Sequence, residues 1–342
     1  MKKIFLFLIS LLIGIGIFLW IGKTVGWQEI GSAFMLFTGL HGIIIFSLTL
    51  LVLLIGNKKW QEILRAQDVE ISFFELFKAF LAGFSVMFLA PVLIWAGEIL
   101  RGYVIRRKNK VAWSKIMASV FIDRVLEWTI NLIVIVLGSF YFLYKIGLPS
   151  KNLLMIFGGV FLIFFSAIAY FYFKISKKES IVKFLFKITS FKKHSKSNVF
   201  FEAEKEIFDF FKWENKFMQK SFLLSFLRAG AMCLRAWVLI LFLGKNIEFL
   251  SSLSILGFTY LAAMIPIPTA LGSHEAIQTF AFKSLGLTLS SATAFTMIIR
   301  GAELLLALLG IIIVFRIGVG FLRSIFFERT EKLEKMINEN DL

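Results

Sequence analysis

Residues 86–104, VMFLAPVLIWAGEILRGYV, hold the reading that decides the fold. An apolar run meets Pro91 and then Gly97 and Glu98. Proline removes a backbone donor and opposes a continuous helix, and a carboxylate this deep in apolar sequence is costly to place in a bilayer. The surrounding segment, 71–105, starts and ends beside basic sequence. It is therefore expected to enter and leave the membrane on one side, as a re-entrant helical hairpin or two short, tilted spans.

A second segment, 249–288, has the same character, with its break at Pro266, Pro268 and Gly272. Pro91 and Glu98 match Pro268 and Glu275 at an offset of 177, and Arg124 and Glu127 match Arg300 and Glu303 at an offset of 176. Prolines and charged residues are scarce in an apolar background, so a near-constant offset between them points to an internal repeat. The first hairpin opens toward one side of the membrane and the second toward the other, which predicts an inverted-topology repeat. The halves are 1–145 and 146–342.

Composition requires the membrane. Of 342 residues 58% are hydrophobic, 42 are Phe, and the mean hydropathy is +0.84. That is more apolar surface than one soluble core of this size would bury. Full spans of an all-α polytopic protein are expected near 4–21, 36–56, 116–143, 153–173, 221–243 and 291–315, about six besides the two hairpins. The first follows Met1-Lys2-Lys3 and looks like a signal peptide, but its apolar run of about 18 residues exceeds the usual core of one, so it reads as a retained span. The single cysteine, Cys233, excludes an intrachain disulfide and a multi-cysteine metal site.

The net charge of +16 is distributed around the apolar spans. Basic residues gather at 58–70, 101–115, 174–220 and from Arg316 onward, which places both termini and the long central loop in the cytoplasm and the protein in the cell membrane. Such placement favours contact with anionic lipids over nucleic acid. The loop, 174–220, interleaves Lys with Phe and Ile and reads as amphipathic helices in the cytoplasmic headgroup layer.

Charges inside the spans need partners. Glu98, Arg124, Glu127, Glu275, Arg300 and Glu303 are the candidate substrate-binding residues. In each final span Arg precedes Glu by three residues, the weaker order for an intrahelical pair, so the hairpin carboxylates are expected as further partners. A broken helix at 91–97 or 268–272 would aim backbone donors at a phosphate, with Arg124 and Arg300 supplying bidentate charge. Arg228 and Arg235 share one helical face and, with Arg101 and His274, form a possible polar path. Arg101, with Arg106 and Arg107, is otherwise expected to snorkel to the headgroups, and Asp123 to satisfy its neighbour Arg124. No phosphate loop, HExxH, GxSxG or DxD motif occurs, so no enzyme activity, cofactor or metal is expected.

Two strings carry a family resemblance. FLAPVLIWAGEILRGYVIRRKNKVAWSKIMASVFIDRVLEW (88–128) and IPIPTALGSHEAIQTFAFKSLGLTLSSATAFTMIIRGAELL (265–305) resemble the two polar blocks of the flippase-like transmembrane region of lysylphosphatidylglycerol synthases. The resemblance spans most of the chain and implies a membrane protein that moves or handles lipids, with Glu98, Arg124, Glu275 and Arg300 on the family's polar positions. After the last span stands a short charged tail where bifunctional members carry an aminoacyl-transferase domain, so lysyl transfer is not expected. Asp123 stands where the first block more often has Glu, and Thr269-Ala270 where the second is Gly-rich.

The expected function is a lipid flippase-like transporter holding an anionic headgroup between inverted repeats. The alternatives are a membrane component of polyprenyl-phosphate or glycolipid glycosyl-transfer machinery, and a non-transporting scaffold. Expected partners are anionic membrane lipids, with a second copy or a separate lipid-modifying enzyme possible.

Overall fold

The computed structural model describes residues 39–89, 95–147, 151–183, 197–264 and 273–340, without the side chains of 89, 151–154, 156–157, 197, 263–264, 273–276 and 317–340. The first expected span at 4–21 and the breaks at Pro91, Pro266, Pro268 and Gly272 lie outside the described residues. The chain is an all-α polytopic membrane protein. Among the described residues, four helices or helix segments are long and apolar enough to cross a bilayer: Leu40–Arg65, Gly158–Ser176, Lys216–Phe242 and Leu289–Arg316.

In chain order the helices are α1 (Leu40–Arg65), α2 (Phe73–Leu89), α3 (Ala96–Asn109), α4 (Trp113–Ile146) and α5 (Lys151–Ser176). They continue as α6 (Ser197–Phe210), α7 (Lys216–Phe242), α8 (Phe249–Met264), α9 (Ser273–Ser284) and α10 (Leu289–Asn340). Helix α1 outruns the expected span. Its buried face repeats as Ile45, Thr49, Val52, Gly56, Lys59 and Ile63, so the residues from 58 to 65, expected as connection, are the last two turns of a packed helix.

Helices α2 and α3 form an antiparallel hairpin. Asn109 Nδ2 and Lys108 Nζ, at the end of α3, each lie 3.1 Å from Glu75 Oε1 in the first turn of α2. At 17 and 14 residues the two helices rise about 25 and 21 Å, short of the roughly 30 Å hydrocarbon layer. Two glycines set their contact. A Cβ on Gly83 would lie 2.5 Å from the carbonyl oxygen of Gly97, and one on Gly97 would strike that of Gly83. The backbones therefore touch where the acid-bearing turn of α3 begins.

Around this hairpin the bundle is built by exchange. Helix α1 packs along α7, α8 lies on α4, and α2 lies on α10. The last two contacts each run through a glycine. Gly138 of α4 admits Leu253 and Ser254 of α8, with Ser254 Oγ donating to the Gly138 carbonyl at 2.7 Å. Gly310 of α10 admits Leu81 and Ser85 of α2.

Helix α6 is the part of the central loop that packs on the bundle. The basic stretch 184–196 lies outside the described residues, whereas α6 itself is acidic, with Glu202, Glu204, Glu206 and Asp209 against Lys205. It buries Ala203 and Phe210 against Ile63, Ala118, Ile122 and Leu126. Glu204 receives the hydroxyl of Ser180 and the amides of Ile181 and Val182, at 2.5, 2.6 and 2.9 Å, which ties the far end of the loop to this helix. The apolar side of α6 finds protein because α4 leaves its own apolar face open there.

Replacing Gly97 by Ala is expected to lower the melting temperature of the detergent-solubilised protein by several degrees, as overpacking typically costs about 1–3 kcal/mol. Gly158→Ala, at a position with nothing within 4 Å, is the matched control and is expected to leave it unchanged.

Candidate functional site

Seven charged side chains from four helices meet in one cavity of about 50 Å³, lined by Lys59 of α1, Glu98 and Arg101 of α3, Asp123, Arg124 and Glu127 of α4, and Arg228 of α7. The rest of its wall is apolar or backbone, including Leu53, Gly56, Phe80, Gly83, Phe84 and Met87. From the first residue of α4 to Asp123 the helix rises roughly 15 Å, and from the first residue of α7 to Arg228 roughly 18 Å. Both residues thus lie about three turns inside their helices.

Two connected networks make up the cluster. In one, Asp123 is gripped by Lys59 at 2.7 Å and by Arg101 at 2.6 Å, all three being at most 4% exposed. The Arg101 guanidinium stacks 4.4 Å from the ring of Trp60 and 5.2 Å from that of Phe80, an arrangement that suits a planar cation in apolar surroundings. Trp60 is fixed in turn by donating its Nε1 proton to Ser119 Oγ at 3.2 Å.

In the other network, Arg124 pairs with Glu98 and, at 3.0 Å, with Glu127. Arg228 closes on the second oxygen of Glu127 at 2.6 Å. The hairpin carboxylate does meet the Arg of the final helix of its half, and the intrahelical pair forms as well, because Glu127 has one oxygen for each arginine.

Several expectations change here. Arg101 does not snorkel: its side chain is 5% exposed, paired with Asp123 and set against the rings of Trp60 and Phe80. Asp123 serves Lys59 and Arg101 rather than Arg124, since successive residues on a helix point about 100° apart. Arg228 and Arg235 reach different carboxylates. Arg235 donates to Glu303 Oε1 and to Thr49 Oγ1, both at 3.2 Å, and among the described residues neither it nor Glu303 lines the cavity. Arg300, partly buried, stands one turn before Glu303 on α10. The side chains of His274 and Glu275 lie outside the described residues.

Lys59 was missed by sequence reasoning. Its signal was the four-three spacing of the buried face of α1, in which Lys59 falls three residues after Gly56 and four before Ile63.

Fold and site together define a polytopic α-helical membrane protein with a charged cavity inside its helix bundle. The family model described as the lysylphosphatidylglycerol synthase TM region matches residues 7–310, and the chain belongs to that family. It is similar to UPF0104 membrane protein PH1989 of Pyrococcus horikoshii, 25% identical over 263 residues that cover 72% of this chain and 78% of the relative. It is also similar to UPF0104 membrane protein MJ1595 of Methanocaldococcus jannaschii, 24% identical over 268 residues, 75% of this chain and 79% of that one. No solved structure matches it.

Because Asp123 neutralises two buried cations, Asp123→Asn is expected to destabilise the protein by about 3–5 kcal/mol, as loss of one partner of a buried ion pair does. Thermal unfolding in detergent checks this. Glu248→Gln, which breaks a pair with Lys145 on the surface, is expected to leave the melting temperature unchanged.

Proposed function

We propose that this protein is a flippase-like lipid transporter that binds the headgroup of an anionic phospholipid in the cavity between α1, α3, α4 and α7. One observation carries the reading: four cations and three carboxylates converge inside the helix bundle on a single cavity with apolar walls. A purely structural ion pair needs no cavity. In lipid surroundings, buried charge gathered around an open volume is the usual mark of a substrate pathway. The family's link to lipid chemistry supports the same reading.

The transport step in this proposal is a rocking of two inverted halves, 1–145 and 146–342, about the α1–α7 contact. Exchange of partners supports it: α2 of the first half packs on α10 of the second, and α8 of the second packs on α4 of the first. A two-fold relation pairing α1 with α7, α2 with α8 and α4 with α10 would generate that pattern. The chain works as a carrier rather than an enzyme, with anionic lipids as its partners. It lies in the cell membrane with both termini and the basic connections on the cytoplasmic side, as the distribution of Lys and Arg favours.

Arg124→Gln and Arg228→Gln, both at the cavity wall, are expected to stop transbilayer movement of a fluorescent anionic phospholipid in proteoliposomes while the protein still elutes as a folded species. Movement at the unmodified rate in both variants would remove the site assignment.

A further inference from the structure

Two degrees of burial divide the seven charges of the cavity. The side chains of Lys59, Asp123 and Arg101 are 2%, 5% and 5% exposed, and that of Glu98 is 4% exposed. Those of Arg124, Glu127 and Arg228 are 18%, 20% and 21% exposed. The sealed group around Asp123 braces three helices. The bridge Arg124–Glu127–Arg228 is the part of the cluster open to an entering ligand.

That bridge has the form a bound phosphate would take. Glu127 gives Oε2 to Arg124 Nη1 at 3.0 Å and Oε1 to Arg228 Nη1 at 2.6 Å. One anionic oxygen on each of two guanidiniums is also how the two free oxygens of a phosphodiester would be held. Space points the same way. The cavity measures about 50 Å³, room for a few waters and not for a headgroup, so a ligand takes these arginines only when the Glu127 carboxylate moves off.

Both arginines are equipped to change partners. Arg124 keeps Glu98 as a second carboxylate. Arg228 pairs with Glu127, and its buried Nε has no acceptor among the described residues. Nε therefore offers an arriving anion its first hydrogen bond while Glu127 still holds Nη1.

We infer, on the reading of the cavity as a headgroup site, that Glu127 is an internal stand-in for the ligand. It holds Arg124 and Arg228 while the site is empty, is displaced when the headgroup binds, and competes to expel it afterwards. A cavity closed on Glu127 leaves neither arginine uncompensated, which lowers the cost of passing empty between its two access states. Affinity is lost for the sake of turnover, since each binding event breaks a charge-assisted hydrogen bond before it makes one.

The test sets Glu127→Gln beside the unmodified full-length protein in detergent, with short-chain phosphatidylglycerol as the probe. Loss of the competing carboxylate is expected to tighten binding about tenfold or more, the effect of one charge-assisted hydrogen bond no longer broken. In proteoliposomes the same variant is expected to move the fluorescent lipid several-fold more slowly, because the empty cavity resets with Arg228 unpaired. Glu127→Asp, which reaches the two arginines less well, is expected to shift both quantities in the same directions by less, and serves if the Gln variant does not fold.

Weaker binding by the variants makes Glu127 a ligand contact and overturns the inference. Unchanged affinity with a lowered melting temperature makes it a brace and overturns it as well. Equal tightening with acyl-free glycerophosphoglycerol upholds the role of Glu127 and overturns the lipid as the occupant. Absence of saturable binding by the unmodified protein and both variants overturns the headgroup site, and the role of Glu127 with it.

Discussion

Asp123 is the residue on which the interior of this bundle depends. It is held by Lys59 from α1 and Arg101 from α3, so three helices are tied together by one buried carboxylate. Each ion would be expensive to bury alone. Together, and with Arg101 stacked on Trp60 and Phe80, they fix where the α2–α3 hairpin can sit. Its position then sets that of Glu98, and Glu98 sets that of Arg124. The close Gly83–Gly97 contact acts in the same direction, since it brings the first turn of α3 against α2 beside the ions.

The helices around this centre act as a frame. Helix α7 delivers Arg228 to Glu127 and, two turns on, Arg235 to Glu303. Helix α1 delivers Lys59 to the cavity and Thr49 to Arg235. The α1–α7 pair is thus charged at two levels, one facing α4 and one facing α10. Helix α6 covers the basic end of α4 through Phe210 and Ala203, which makes part of the central loop a component of the bundle.

Most of the architecture was legible because its signals are one-dimensional. Long apolar runs set the spans, Pro91 marked the first hairpin, and the shared offset singled out Glu98, Arg124 and Glu127. These three do line the cavity together. Lys59 and Arg101 were misplaced for a common reason. A charge near the end of an apolar run reads as the membrane boundary, and only packing with other helices reveals that the run continues as buried helix. Trp60 shields Arg101 from water, and no local pattern announces that a tryptophan on α1 will face an arginine on α3. The acidic character of α6 was visible in the sequence, but the face that it covers belongs to α4 and is a tertiary property.

The central claim is that the buried ions surround a place for a lipid headgroup rather than merely bracing the bundle. The most direct measurement is an experimental density map of the protein in a nanodisc containing anionic phospholipid. The account predicts headgroup density inside the cavity, against the arginines that line it. A map that shows ordered lipid only around the outer helices, with the arginines and carboxylates closed on one another, would contradict it.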